Sequence, residues 1–349
     1  MARAAEEKKT PLTWPAIVAK MLEARTSVNR EGAGADSPPV FMRSTTKQED
    51  QDQDLISSSQ TGPAARAQLK VLTERQYAHL AERRGLAVYE FAGRFWRNSD
   101  QFGRFFVVPI HWMAELAAEQ ARFATRSALG FKARVSDSPQ NNGFFNLYLI
   151  EAPQAYGFSS VSSNFRWKIR KACRDGVQID LATPELLEEH GYEVTREALE
   201  KSGYRKPPSR TDYVSRLESD TFMGGNRLVL AGLVPDREKR QRLGAIATAS
   251  AIDGTAYGDD IYVAPWARKS SVGLRIVYSF IEACQRTPGI QRIVLGRVTS
   301  DQALDAFKVS MGVPRKDVPA RVEFRRGVGA AVKVVAAARP DLRQRLYGC

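Results

Sequence analysis

Residues 259–285 read DDIYVAPWARKSSVGLRIVYSFIEACQ, and this stretch carries most of the information about the fold. Its first part is rich in β-branched and aromatic residues, which predicts a strand that stops at Pro265, because proline cannot donate to a strand ladder. The polar loop WARKSSVG follows. The last part predicts an amphipathic helix, because its apolar residues recur at helical spacing: Ile276, Val277, Phe280, Ile281 and Cys284.

The loop has the character of an anion-binding site. A helix N-terminus presents N–H groups without intrahelical partners, and the helix dipole favours a negative group there. Arg268 and Lys269 add positive charge, and Gly273 would let a ligand approach the backbone. Ordinary helix capping by the serines, without a ligand, is the alternative. The predicted ligand-binding residues, which include two strand-end amides, are Val263, Ala264, Arg268, Lys269, Ser270, Ser271, Val272 and Gly273.

Composition restricts the class of protein. The chain has 349 residues, 43% hydrophobic and 26% charged, so at about 100–200 residues per domain we expect two domains, or one with appendages. Its three cysteines are far apart and form no CxxC pair, and its three histidines are scattered. This pattern indicates a reducing compartment and no metal site.

The charge balance indicates the kind of partner. Lys and Arg number 52 against 39 Asp and Glu, a formal net charge of +13. Such an excess attracts a nucleotide cofactor, an RNA or an anionic membrane surface, although a solvated basic surface is the alternative. No stretch is apolar enough to span a bilayer and the N-terminus lacks a signal core, so we expect a cytoplasmic protein.

The first part of the chain divides into a tail and a small α/β unit. Residues 1–66 are poor in aromatics, so we expect a disordered tail with one short helix. In residues 67–150, the runs GLAVYEFAGRFWRN and FGRFFVVPIHW predict a β-hairpin. Strong helix formers predict a helix over residues 113–129, ended by Gly130. FKARVS and GFFNLYLIEA predict two more strands.

Residues 151–349 predict a larger unit. A basic helix (SSNFRWKIRKACRDG) and two further helices are followed by strands in NRLVLAGLV, GAIATASAID and TAYGDDIYVA. The helix after Gly273, the strand RIVLGRV, a helix in SDQALDAFKVSMG and the strand ARVEFRRG complete the order β-β-β-α-β-α-β. This order predicts an α/β (α+β) fold with a mixed, mostly antiparallel sheet that includes one βα crossover.

The strand followed by R-x-x-S-x-G and a helix resembles the core of the GNAT acyltransferase superfamily. The resemblance implies that this loop holds the diphosphate of an acyl-CoA, the acyl donor for an amine acceptor. In the family motif, Q/R-x-x-G-x-G/A, Arg268 and Gly273 match the first and last positions, whereas Ser271 replaces the middle glycine.

Three further segments resemble the Fem-type branch of that superfamily: SSNFRWKIRKACRDGV, REALEKSGYRKPPSRTDYVSRL and DAFKVSMG. The likeness covers about residues 145–325. It implies two GNAT-like halves, with a degenerate first half in residues 67–150 and the acyltransferase domain in residues 151–349. It also implies aminoacyl-tRNA as an alternative donor.

Four residues are candidates for catalysis. Asp259 and Asp260 are the nearest carboxylates, and strand alternation would point them to opposite faces, so that at most one lines a cleft. The GNAT tyrosine acid falls on Phe307, which cannot donate a proton. The Fem resemblance implies instead that Phe307 and Lys308 lie at the reaction centre, where an ammonium would neutralise an oxyanion or a phosphate. Alternatively, Lys308 is an exposed residue on a helix that buries Leu304, Phe307 and Met311.

These patterns leave three functions open. The first is transfer of an acyl group from acyl-CoA to the amine of a small molecule, peptide or protein. The second is transfer from aminoacyl-tRNA, for which the basic helix would track phosphates and Trp167 would stack on a base. A solvated face over an apolar stripe of Phe165, Ile169 and Ala172 is the other interpretation of that helix. The third is a non-catalytic GNAT-like module that binds nucleic acid or protein.

Overall fold

The computed structural model describes residues 66–100, 102–136, 138–203, 205–219, 226–299 and 301–348. The expected tail, apart from Arg66, lies outside these ranges. The strands are β1 (Val71–Leu72), β2 (Val88–Phe91), β3 (Arg94–Ser99), β4 (Gly103–Pro109), β5 (Gly130–Ala133), β6 (Gly143–Ile150), β7 (Gln178–Leu181), β8 (Leu228–Pro235), β9 (Gln241–Ile252), β10 (Thr255–Val263), β11 (Arg292–Arg297) and β12 (Arg315–Phe324). The helices are α1 (Glu74–Arg83), α2 (Ser163–Arg174), α3 (Pro184–Leu186), α4 (Tyr192–Ser202), α5 (Arg210–Ser219), α6 (Val272–Arg286), α7 (Gln302–Ser310), α8 (Val328–Ala338) and α9 (Pro340–Tyr347).

All twelve of these strands join one sheet, in the order β2-β3-β4-β5-β12-β6-β11-β10-β9-β8-β7, with β1 added beside β9. Along this order only β4–β5 and β10–β11 are parallel. The pattern of parallel and antiparallel pairing is nearly symmetrical about the middle of the sheet. There β12 and β6 lie side by side, with the parallel pair β4–β5 on one side and the parallel pair β10–β11 on the other. The mixed, mostly antiparallel fold class expected from the sequence is confirmed.

The largest core lies around α6. One face of α6 packs on β8, β9 and β10, and α2 packs beside it. The predicted stripe is buried, with Ile276, Ile281 and Cys284 fully inaccessible to solvent. On α2, Ile169 and Ala172 are buried and Phe165 is partly buried, as the apolar stripe predicted.

The expected helix over residues 113–129 is wrong. This crossover from β4 to β5 consists of turns and a single β-bridge between Leu116 and Val135. Leu116, Ala121 and Ala128 are fully buried. The Arg325 guanidinium, from the end of β12, donates to the carbonyls of Thr125 and Ala128. Contacts with distant strands therefore override the helix propensity of the segment.

Candidate functional site

The parallel strands β10 and β11 separate beyond Tyr257 and Val294, and we call the opening between them the fork. Their register runs only from Thr255 opposite Arg292 to Tyr257 opposite Val294. Beyond Tyr257, β10 continues to Val263 while pairing only with β9 on its other edge. Because a strand presents N–H and C=O groups on both edges, the last part of β10 leaves main-chain groups exposed on its β11 side.

The end of β10 offers one strand-end amide to this opening. The Ala264 amide donates to the Gly244 carbonyl (2.9 Å), so the prediction that it is available to a ligand is wrong. Successive N–H groups along a strand point to opposite edges. The Val263 amide therefore points away from β9, towards the fork.

The loop after β10 is a turn of 3₁₀-helix, Pro265–Ser270, which meets α6 at Ser271. Ser271 has a left-handed backbone (φ 62°, ψ 20°). This conformation disfavours a side chain, which explains why a glycine suits the middle motif position. Ser271 nevertheless adopts it, so the turn between the 3₁₀-helix and α6 forms here without a glycine.

Most amides in the first turn of α6 have partners. Leu274 and Arg275 both donate to the Ser271 carbonyl, and Val272 donates to the Ser270 hydroxyl (3.3 Å). That hydroxyl in turn donates to a loop carbonyl. Gly273 is the second residue of α6, so its amide has no acceptor within the helix itself. It is therefore the first-turn main-chain donor best placed to meet a ligand at the helix N-terminus.

The loop is anchored on one side and exposed on the other. Ala267 and Val272 are buried against two glycines of the sheet. A Cβ on Gly244 would lie 2.7 Å from the Ala267 Cβ, and one on Gly232 would lie 2.5 Å from Val272 Cγ2. Arg268 and Lys269 are exposed on the other side, and neither forms an ion pair within the described ranges. Two unneutralised cations therefore accompany the Gly273 amide.

Asp259 and Asp260 lie on the same face of the sheet, so the expectation of opposite faces is wrong. The β10–β9 register shifts between Gly258 and Asp260, which places a β-bulge at Asp259. Asp260 is the register partner of Thr248, and the Asp259 carboxylate accepts from Ser250 (2.6 Å), two residues further along β9. A bulge adds one residue and thereby resets the alternation.

Each carboxylate has an arginine partner from a distant segment. Arg227, which precedes β8, contacts Asp259 at 2.8 Å, and its side chain is 4% exposed. Arg205, in the loop after α4, contacts Asp260 at 3.1 Å and also donates to the Tyr262 hydroxyl. Burial raises the pKa of Tyr262 above its usual range. The sequence contained no local signal for either arginine.

Lys308 extends from α7 into the interior, next to the fork. Its ammonium donates to the Leu295 carbonyl of β11 and lies 4.6 Å from the ring centre of Tyr148. Burial lowers the pKa of Lys308 from 10.5 to about 8. The neighbouring Phe307 packs against Phe165 of α2, with ring centres 5.9 Å apart.

The surroundings of Lys308 include residues that the sequence did not single out. The Tyr148 hydroxyl donates to Asp305 (2.6 Å), which Arg315 also contacts. On α7, Met311 is buried as expected, but Leu304 is 37% exposed and does not belong to the buried side. Tyr148 and Arg315 come from other strands, so only the fold could bring them together with Asp305.

Among the described residues, no helix is long and apolar enough to cross a membrane. Within the same ranges, no group of three or more His, Cys, Asp or Glu side chains is placed to hold a metal ion.

Solved structures share this architecture. FemX superimposes with a TM-score of 0.51 at 10% identity, over 84% of this chain and 99% of FemX. The C-terminal domain of a putative lysylphosphatidylglycerol synthetase from Agrobacterium fabrum gives a TM-score of 0.47 at 14% identity, over 83% of this chain and 97% of that domain. No protein-family model and no curated protein matches the chain. The likeness to FemX shows that this chain has the fold of FemX.

Proposed function

We propose that this protein is an acyltransferase that moves an acyl group from acyl-CoA to an amine. The observation that carries the proposal is the fork between β10 and β11, with the first-turn Gly273 amide of α6 and the exposed Arg268 and Lys269 at its open end. A helix N-terminus with nearby cations suits a diphosphate. The Val263 amide suits the amide-rich arm or thioester carbonyl of the donor.

The reaction needs a base, an oxyanion partner and a proton for the leaving group. The amine nitrogen would attack the thioester carbonyl, forming a carbon–nitrogen bond, and the carbon–sulfur bond would then break. We assign the amine proton to Asp260 or Asp259, whose arginine partners must then move or share the charge. The Lys308 ammonium would stabilise the oxyanion, and the departing thiolate would take up the proton that the aspartate received from the amine, which returns the carboxylate to its starting state.

Calorimetric titration with acetyl-CoA tests the proposal. Gly273→Leu places a bulky side chain beside Val263 Cγ2, which would lie only 3.2 Å from the new Cβ. We expect binding to weaken by more than tenfold, on the order of 1.4 kcal/mol. Gly329→Leu is the matched control, because Gly329 also lies in the first turn of a helix, α8, outside the fork. Equal affinity of both variants would contradict the proposal.

Aminoacyl-tRNA is the second candidate donor, and one surface favours it. Two tryptophans, Trp167 of α2 and Trp266 of the loop, are 52% and 41% exposed. The end of α2 meets β9, where Gln241 donates to the Gly176 carbonyl. The next residue, Arg242, lies 4.7 Å above the Trp266 ring. Lys171, which pairs with Asp175, and Arg174 lie on the same side of α2 as Trp167, and the exposed Arg268 and Lys269 follow Trp266 in the loop.

Alternating cations and exposed rings suit a nucleic-acid end. A gel shift with charged tRNA at rising salt distinguishes this donor, since phosphate contacts weaken steeply with salt. Trp266→Ala should weaken binding, whereas Trp96→Phe, a buried change, should not. Failure to bind any thioester or tRNA would favour the third candidate, a non-catalytic binding module.

The acceptor and the domain division belong to the same proposal. We assign residues 67–150 to a degenerate first GNAT-like half and residues 151–349 to the acyltransferase half. The nearly symmetrical pairing pattern of the sheet, with one parallel pair on each side of its middle, supports this division. The acceptor would be an amine on a small molecule, peptide or protein. Neither Cys173 nor Cys284 forms a disulfide within the described part of the chain, and together with the absence of a CxxC pair this supports a cytoplasmic location.

A further inference from the structure

A cavity lies against the crossover between β4 and β5, and no residue of the fork lines it. Its volume is about 540 Å³, within the range of small-molecule sites. One wall is the crossover and the other is β12, with a single side chain from the segment between β5 and β6. The lining residues are Ala118, Glu119, Arg122, Phe123, Gln140, Arg321 and Glu323.

The symmetry of the sheet explains why this space is open. Reversing the strand order exchanges β5 with β11 and β12 with β6. The same reversal exchanges the β4–β5 crossover with the β10–β11 crossover, which forms α6 and packs on the sheet. The first crossover has no helix at residues 113–129, and the cavity lies between this irregular segment and β12.

The walls of the cavity are held in place. Arg325 lies 4.6 Å above the Phe123 ring and donates to two carbonyls of the crossover. Phe123 also meets Phe131 of β5 edge-on, with ring centres 5.3 Å apart. On the β12 wall, Arg321 pairs with Glu323 and donates to Gln140 (2.5 Å). The aromatic wall and the β12 wall of the cavity are thus fixed by contacts, whereas Glu119 and Arg122 are exposed at its rim.

The charges identify the kind of ligand. Each wall carries one cation and one anion, Arg122 with Glu119 on the crossover and Arg321 with Glu323 on β12. A ligand of one sign would meet a like charge on both walls, which is unfavourable. A ligand with a carboxylate and an ammonium on neighbouring atoms can satisfy both signs, while Phe123 and Ala118 offer an apolar contact.

We infer that this cavity binds a free α-amino acid with an apolar or aromatic side chain, at a site separate from the fork. The α-carboxylate faces Arg122 and Arg321, the ammonium faces Glu119 and Glu323, and the side chain lies on Phe123. This inference does not depend on the transferase proposal, because no residue of the fork takes part.

Titration of the full chain with L-phenylalanine tests this site, with N-acetyl-L-phenylalanine and L-phenylalaninamide as singly charged probes. We expect the zwitterion to bind at least tenfold more tightly than either analogue. Arg122→Ala and Glu119→Ala should each weaken binding by at least fivefold, while Arg126→Ala, an exposed neighbour that does not line the cavity, should not. All three positions are exposed, so the melting temperature checks that the fold is kept.

Three results would overturn the inference. The first is the absence of saturable binding of L-phenylalanine up to about 10 mM, where a specific small-ligand site should be filled. The second is equal binding of the zwitterion and a singly charged analogue. The third is binding that Arg122→Ala and Glu119→Ala leave unchanged, since the ligand would then lie elsewhere.

Discussion

The two crossovers between parallel strands differ in what holds them. Between β10 and β11 the chain forms α6, whose buried stripe packs on the sheet and whose first turn includes the Gly273 amide. Between β4 and β5 a segment of strong helix formers is instead held by the Arg325 side chain, which follows β12. Similar strand pairing is therefore compatible with a packed helix in one crossover and with an irregular segment beside a cavity in the other.

The largest expected effect concerns Lys308, which lies beside the second parallel pair and donates to the Leu295 carbonyl of β11. Lys308→Ala should lower kcat with acetyl-CoA and an amine by on the order of 100-fold, as the loss of one oxyanion partner does. Arg126→Ala, on the first crossover, is the control and should leave the rate unchanged. Normal turnover of Lys308→Ala would show that Lys308 contributes no more to catalysis than Arg126 does.

The same lysine gives a pH dependence. Because burial lowers the pKa of Lys308 to about 8, its ammonium form, and with it turnover, should decline as the pH rises through about 8. Lys308→Arg keeps the charge at higher pH, so its rate should not fall on that limb even if it is low throughout. An identical alkaline limb in both proteins would assign it to another group.

A core substitution tests whether the first crossover is packed as tightly as α6. Leu116 is fully buried, so Leu116→Ala should cost about 3 kcal/mol of the free energy of unfolding in urea. Leu86→Ala, at a residue that is 41% exposed, is the control and should cost much less. A small effect at Leu116 would mean that the crossover is a loose loop.

The contact between the first crossover and β10 should contribute to stability in a way that depends on pH. His111, at the start of the first crossover, meets the Tyr257 hydroxyl at 2.7 Å, and burial lowers the pKa of His111 from 6.5 to about 4. The unfolded chain therefore binds the proton more readily, and stability present above pH 6.5 should be lost as the pH falls towards 4, by about 3 kcal/mol.

Thermal unfolding across this range measures the effect. His111→Phe should flatten the loss, whereas His79→Phe, at an exposed site, should not. An unchanged pH profile in His111→Phe would assign the acid limb to carboxylates.

The smallest effect distinguishes a helical from a non-helical crossover. Gln120 accepts from the Ala117 amide and donates to the Ala92 carbonyl, so Gln120→Ala should cost about 1 kcal/mol for the lost hydrogen bonds. In a helix the same change would be neutral or slightly stabilising. Chemical denaturation separates the two outcomes, with Gln154→Ala as a surface control.

Local patterns predicted the second crossover well. The β10–loop–α6 unit, the buried stripe of α6 and the fold class all follow from periodicity and from Pro265 and Gly273. The first crossover was not predictable in this way, because Arg325 and Val135, which decide its conformation, lie outside the segment. Helices α8 and α9 at the C-terminus were not predicted at all.

The sequence indicated only those residues of the candidate site that are neighbours along the chain. The loop residues were proposed from the strand-to-helix transition. The β-bulge at Asp259 was not, because alternation assumes a regular strand. Arg205, Arg227 and Tyr148 come from other segments, and no spacing in the sequence relates them to the fork.

The amide resonance of Gly273 provides the most direct test of the donor site. In an NMR titration of the isotopically labelled protein with coenzyme A, the account predicts a saturable shift of the Gly273 amide signal, with Val263 following, while the Gly329 amide of α8 stays unchanged. A Gly273 signal that does not move as coenzyme A binds elsewhere, or the absence of binding altogether, would contradict it.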